Sequence, residues 1–203
     1  MAFNQVERCP VQWNELKSDI AIGSLASAMR TLDCTSAVRV TANLMRGTQL
    51  YVMRGCVTSV MEHVKSDHKE VGGLLLGRVW EHHLPTPNSS GPLVVIVDAV
   101  PSEVYRNSSV SLEMGTEIWG RINERVSDHL IVVGWYHSHP NLGAFFSGTD
   151  RRTQRAFFSH PYSVGWVIDP FRHEEKVFVG KDSEEYHPSL LVIDHELEMA
   201  KSC

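Results

Sequence analysis

No run of lysine or arginine occurs in this chain, and its 203 residues carry a formal net charge of −5. Nucleic-acid binding calls for a basic face against phosphate, so the composition argues against nucleic acid as the main partner. An acidic surface is compatible with a protein partner but does not demand one. Cysteine is scarce: Cys9, Cys34, Cys56 and Cys203 are scattered, with no Cys-x-x-Cys pair. The first residues show no basic stretch followed by an apolar one, so no secretory signal is expected. No apolar run approaches the length of a membrane span. The economical expectation is a cytoplasmic protein with reduced thiols and no membrane contact. Two hydrolase signatures are missing as well. His173-Glu174 and His195-Glu196 are followed by Val177 and Met199 where His-Glu-x-x-His needs its second histidine, which excludes zincin-type chemistry. No Gly-x-Ser-x-Gly elbow occurs either. Internal repeats and low-complexity tracts are absent.

What is present is an ordinary globular composition, 42% hydrophobic and 21% charged, long enough for one domain with a substantial core, or for one domain plus an extension. Helical spacing of Trp13, Leu16 and Ile20, and of Leu25, Met29 and Leu32, predicts an amphipathic helix over 11–32, interrupted at Gly23. Strands are expected at 37–41 and 49–53, with Arg46-Gly47 as the turn between them. A helix over 56–66 follows, with an apolar stripe of Cys56, Val57, Val60, Met61 and Val64; His63 and His68 fall at its polar end and read as solvated. Residues 70–77 read as a central strand whose three glycines suggest close approach of a backbone or ligand. A polar loop at 81–92 holds His82 and His83, which point opposite ways on an extended chain and do not suit one metal. A strand at 93–100, an irregular polar loop at 101–114 containing Tyr105 and Arg106, and a helix over 115–127 come next. In that helix Ile118, Trp119, Ile122 and Val126 are expected to face inward. Beyond residue 150 the pattern gives a helix to 159, strands at 163–169 and 176–180 around a turn at 170–173, and a short helix at 194–201. Strands and helices without a regular βαβ period give an α/β or α+β fold with a mixed central sheet flanked by helices.

The chemistry concentrates in one stretch. The apolar run 130–135 reads as a buried strand ending at His137 and His139, spaced i, i+2. Extended backbone turns both imidazoles to the same face, so they can converge on one point. Pro140, with no N–H for a ladder, ends the strand. The chain then returns to Asp150, a third candidate ligand. Two histidines and a carboxylate, with one position left for water, are the donor set of a catalytic zinc site. Ser147-x-x-Asp150 also matches a helix capping box, which explains both residues structurally. Glu70, at the head of the glycine-rich strand, is the candidate second carboxylate, though taken alone it reads better as a solvated strand end.

The pattern His137-x-His139-Pro140-x6-Ser147-x-x-Asp150, with Glu70 upstream, resembles the JAMM (JAB1/MPN/Mov34, MPN+) zinc metalloprotease motif. Its five fixed positions from His137 to Asp150 should coincide by chance in about one chain in ten thousand. The resemblance extends to Glu70-Val71-Gly72-Gly73-Leu74-Leu75-Leu76-Gly77 and to Ser163-Val164-Gly165-Trp166-Val167-Ile168-Asp169-Pro170, covering roughly residues 48–182. It implies an MPN/JAMM (cytidine deaminase-like) domain over 48–203 and an N-terminal extension, 1–47, packed on it. The stretch from Gly134 to Gly143 is most similar to prokaryotic ubiquitin-like deconjugases, including those encoded beside E1- and E2-like genes in bacterial antiviral defence operons.

Residue by residue, the resemblance implies one Zn²⁺ on His137, His139 and Asp150, Glu70 as general base and acid, and Ser147 as oxyanion donor. The implied bond is one after the terminal glycine of a ubiquitin-like modifier, and E1- and E2-like proteins are implied pathway partners. An extended tail calls for a β-augmentation groove, with 101–114 as its candidate wall and Phe145 and Phe146 as either channel lining or core. Two other readings stand beside this one: a scaffold of the same fold that binds partners and cleaves nothing, and a peptidase releasing a sulfur-carrier protein. Scaffolds of this kind usually lack a ligand, whereas here His137, His139 and Asp150 are all present.

Overall fold

The computed structural model describes residues 23–24, 48–81, 91–103, 105–108, 111–114, 117–125, 130–187 and 191–193. In chain order the elements are β1 (Gly23–Ser24), β2 (Gln49–Met53), α1 (Arg54–Lys65), β3 (Gly72–Glu81), β4 (Pro92–Pro101), β5 (Tyr105–Ser108), β6 (Ser111–Met114) and α2 (Glu117–Arg125). They continue with β7 (Ile131–Ser138), α3 (Gly148–Phe157), β8 (Val164–Asp169), β9 (Glu174–Val179), β10 (Glu184–Glu185) and β11 (Leu191–Ile193). The expected α/β architecture is present: one mixed sheet in the order β10-β9-β8-β7-β3-β4-β2-β11, flanked by helices.

β3 and β7 occupy the middle of the sheet, and their sequences show why. Both are apolar on successive residues, as a strand covered on two faces must be. Leu75 and Tyr136 join the core on the α1 side, with Cys56, Val60 and Val64 supplied by the helix at i, i+4, i+8. Leu74, Leu76 and Trp135 join the other core, with Ile118 and Ile122 of α2 and Phe146, Phe158 and Phe178. Each fully buried aliphatic side chain contributes about 1.5–3 kcal/mol. The strands approach closely enough to demand glycine: a Cβ on Gly73 would collide with the Val100 carbonyl and the Tyr136 ring. β3 runs antiparallel to β4 and β7, while β7 runs parallel to β8. A register shift between Leu75 and Leu76 against β7 leaves the pairing Gly72↔His137 at the strand end. That pairing brings the start of β3 beside the histidines.

Several expectations change. Gly23 lies in a strand: Gly23–Ser24 pair in parallel with Trp80–Glu81, beyond the last β3–β7 pair at Gly77↔Ile131. The segment 101–114 is not irregular, since β5 and β6 form an antiparallel hairpin, and β6 lies alongside α3. Its polar residues alternate with apolar ones too sparsely for a buried strand, which hid the hairpin from a pattern search. Trp119 is 37% exposed rather than inward, because the face of α2 that Ile118 and Ile122 present to the core leaves it outside. β11, parallel to β2, has no counterpart in the expectations; three residues are too few to carry a periodicity. The predicted elements at 11–32 apart from Gly23–Ser24, at 37–41 and at 194–201, the turn at Arg46-Gly47, His82, His83, Val126, and Cys9, Cys34 and Cys203 lie outside the described residues. Cys56 is a free, buried thiol. Burial, then the charge of Asp98, raises its pKa to about 12, so it is no nucleophile at neutral pH.

Candidate metal centre

β7 ends at His137-Ser138-His139, and the alternation of a strand divides the work among the three. His137 and His139 turn to one side, both buried. Ser138 turns to the other, where its hydroxyl accepts the Val71 N–H at 3.0 Å while its own N–H donates to the Val71 carbonyl at 2.8 Å. His139 extends the ladder past the strand, its N–H donating to the Ile168 carbonyl at 2.9 Å. The two histidines are thus fixed by sheet bonds from both neighbours, β3 and β8. The His137 ring lies flat on Trp135, centroids 4.5 Å apart, and Phe145 leans on His139 at 4.9 Å.

Asp150 arrives from the first turn of α3. Ser147 caps that helix in a reciprocal box: its Oγ accepts the Asp150 N–H at 3.2 Å, and Asp150 Oδ2 accepts the Ser147 N–H at 2.6 Å. Gln154, one turn further on and fully buried, accepts the Trp135 indole N–H at 2.7 Å and donates to the carbonyls of Ser163 and Gly180. This sets the rotation of α3 against β7, so that Asp150 faces the histidines.

The Nε2 atoms of His137 and His139 are 3.2 Å apart. Asp150 Oδ1 is 3.5 Å from the first and Oδ2 3.7 Å from the second. A tetrahedral zinc with ligands at about 2.0–2.1 Å has ligand-to-ligand edges of about 3.3 Å, which the two Nε2 atoms match, while Asp150 turns a different carboxylate oxygen to each histidine. They form the one His/Cys/Asp/Glu group of this kind among the described residues, and they could hold a metal ion. Burial opposes ionisation of Asp150, but the hydrogen bond and charge of His137 and the bonds from Ser147 outweigh it and hold the carboxyl well below its usual range. His139 is pushed below the ordinary histidine value by burial and by His137, with Asp150 and Glu70 pulling the other way.

Glu70 stands at the head of β3, half-buried, and two residues before the Gly72↔His137 pair. Its charge is felt by His139, whose pKa it pulls upward. Phe145 and Phe146 divide: Phe145 is 45% exposed beside His139, whereas Phe146 is buried against Trp135, His137 and Phe178. His63 and His68 are not ligands, but neither is simply solvated. His63 Nδ1 meets the Tyr136 hydroxyl at 2.9 Å, and His68 stacks on Phe171.

Some supporting residues escaped the sequence reading. Asp169, fully buried at the end of β8, accepts four backbone N–H groups: Asn141, Phe171 and Arg172 on Oδ1 and Gly143 on Oδ2. Glu174 accepts a fifth, from Ala144. Together they pin the loop that follows His139. The visible signal was an Asp-Pro at a strand end, which marks a turn but not what the turn holds.

The profile of the family described as prokaryotic homologs of the JAB domain matches residues 54–178. The chain belongs to this family. Among curated relatives, a 26S proteasome non-ATPase regulatory subunit 14 from Drosophila melanogaster is 27% identical over 157 residues, 73% of this chain and 47% of that protein. A COP9 signalosome complex subunit 5 from Eremothecium gossypii is 29% identical over 148 residues, 68% of this chain and 33% of its own length. The JAB-domain chain therefore spans a third to about half of these relatives. A solved JAB1/MPN domain protein from Archaeoglobus fulgidus, 18% identical, covers 71% of this chain and 98% of its own with a TM-score of 0.44. No helix among the described residues is long and apolar enough to cross a membrane.

Proposed function

We propose that this JAB-domain protein is a cytoplasmic zinc isopeptidase or peptidase that cleaves after the terminal glycine of a ubiquitin-like modifier. One observation carries the reading: a buried cluster of two histidines and one aspartate whose ligand atoms all lie within 4.8 Å of one another. His137 and His139 through Nε2, and Asp150 through its carboxylate, would hold the ion. Zinc bound there would supply a water whose pKa is lowered to near 7 and a Lewis acid for the scissile carbonyl. Glu70 would take the proton of the attacking water and deliver it to the departing amine. Ser147 would donate to the oxyanion, a role typically worth about 3–4 kcal/mol of barrier. Its hydroxyl has room for both tasks: the helix cap uses Oγ as acceptor, and the O–H remains a donor.

The β5–β6 hairpin supports an extended substrate. It forms a two-stranded sheet of its own beside α3, with strand edges outside the main sheet. A glycine-ended tail could add to such an edge and lead its carbonyl to the cluster. E1- and E2-like proteins of one pathway, within an antiviral operon, are the partners this reading names. Residues 1–47 are read as an extension packed on the 48–203 domain, which the pairing of β1 with β3 supports.

The test is cleavage of ubiquitin-like domains fused through a terminal glycine to a reporter, by wild type and by Glu70→Gln. The amide keeps size but cannot accept the proton, so turnover should fall at the high end of about 10²–10⁴-fold with zinc retained. Wild-type activity in Glu70→Gln would reduce Glu70 to a strand end and overturn the mechanism.

A further inference from the structure

Glu70 sits on the stretch between α1 and β3, where Lys69 N–H bonds only two residues back, to Asp67 Oδ1 at 3.0 Å. At its far end the Val71 N–H donates to the Ser138 hydroxyl at 3.0 Å. A contact from a distant part of the chain reaches it just before Glu70. The His68 ring lies flat on Phe171, centroids 5.0 Å apart and planes 11° from parallel. Phe171 belongs to the β8–β9 turn, and its own N–H is held by Asp169 Oδ1 at 3.1 Å. The same carboxylate holds Asn141 and Gly143, which follow His139. One turn, outside the motif, therefore braces both the loop that leaves the histidines and the stretch that carries Glu70.

We propose that Phe171 is a positioning residue: through its stack on His68 it fixes the 66–71 stretch so that the Glu70 carboxylate faces the cluster of His137, His139 and Asp150. The proposal rests on the hydrolase reading given above. An exposed aromatic pair could also be surface packing with no consequence for Glu70. What favours the active role is its place, two residues before Glu70 in the chain and on a ring whose own N–H is held by Asp169. A proton-transfer group misplaced by about 1 Å can lose up to 10²-fold in rate, so a modest brace has a large lever.

The experiment compares Phe171→Ala, Phe171→Tyr, His68→Ala and His68→Phe with wild type on the glycine-linked reporter fusions, with zinc content and amide exchange of 66–71 measured in each. Phe171→Ala and His68→Ala should each lower kcat by about 10- to 100-fold at nearly constant KM, with zinc unchanged. The double alanine variant should be no worse than either single one, since both remove the same contact. Phe171→Tyr and His68→Phe keep the stack and should retain activity. Exchange over 66–71 should quicken in the alanine variants, with β7 unaltered. A rise in KM at constant kcat would make Phe171 a substrate contact and overturn the proposal, as would wild-type kcat in both alanine variants. A wild type inactive on every fusion would overturn the hydrolase reading instead, and unchanged exchange in Phe171→Ala would then overturn the bracing claim independently.

Discussion

His137, His139 and Asp150 lie on the middle strand of a sheet and the first turn of a helix, each at 2% exposure or less, while Glu70 is half-buried on a connecting stretch. The first group is held by ladder bonds, a capping box and the Gln154 network. Glu70 lies between the start of β3 and the His68–Phe171 stack. The difference suits two tasks. Ligands for an ion must converge before it arrives, because each ångström of misfit is lost affinity. A group that shuttles a proton has to serve two positions, so a site at an element's edge, with some freedom, fits it better.

The largest effect should come from the ligand side. Replacing both His137 and His139 by Ala is expected to remove zinc altogether, where wild type purified without chelator carries about one equivalent per chain. Full occupancy in the double variant, read by metal analysis, would break the contrast at its root.

Ser147 caps the helix that carries Asp150 and, in the proposed mechanism, also serves the reaction. Ser147→Ala should lower kcat by about 10²–10³-fold with KM little changed, and cost about 1 kcal/mol of stability as a lost cap. Ser147→Thr caps nearly as well but crowds the site, so it should melt near wild type yet lose most activity. Equal kcat for wild type and Ser147→Ala at equal zinc content would leave only the cap.

Removing the brace behind Asp150 tests how stiff the ligand wall is. Gln154→Leu strands the Trp135 indole N–H in the core and takes one of two donors from the carbonyls of Ser163 and Gly180, so about 1–3 kcal/mol of stability should go. Thermal melting should register this at roughly 2–4 °C per kcal/mol. A melt unchanged from wild type would mean that α3 is held by other contacts.

The smallest effect concerns pH. Burial resists ionisation of Asp169, but the N–H groups of Gly143, Asn141, Arg172 and Phe171 more than compensate, and its pKa falls below the usual carboxylate value. A carboxyl whose pKa is lowered by folding stabilises the fold above its unfolded value of about 4, and that contribution drains away as pH falls toward the folded pKa. Asp169→Asn should therefore be less stable than wild type at neutral pH and show a shallower loss on acidification below about pH 4. Parallel acid-unfolding curves for the two proteins would remove Asp169 from the account.

The strands β2, β3, β4, β7, β8 and β9 and the helices α1, α2 and α3 were all legible, within a few residues at their ends, because long apolar runs and helical spacing are local signals. The hairpin β5–β6 and the three-residue β11 were not, since their pairing partners, rather than their own patterns, make them strands. Phe145 and Phe146 looked alike in sequence and part company only when the turn before α3 sends one ring to the core.

By itself the sequence determined which side chains share a face. The i, i+2 spacing of His137 and His139, the x-x spacing of Ser147 and Asp150 and the glycines at the head of β3 are fixed by backbone periods of two and 3.6 residues. It could not say how far the strand end lies from the helix start, or what aims Glu70. Those distances depend on contacts between residues far apart in the chain: Gly72 with His137, Gln154 with Trp135, Asp169 with Gly143, Phe171 with His68. No local pattern encodes such contacts, because each exists only once the sheet has closed and excluded water around it.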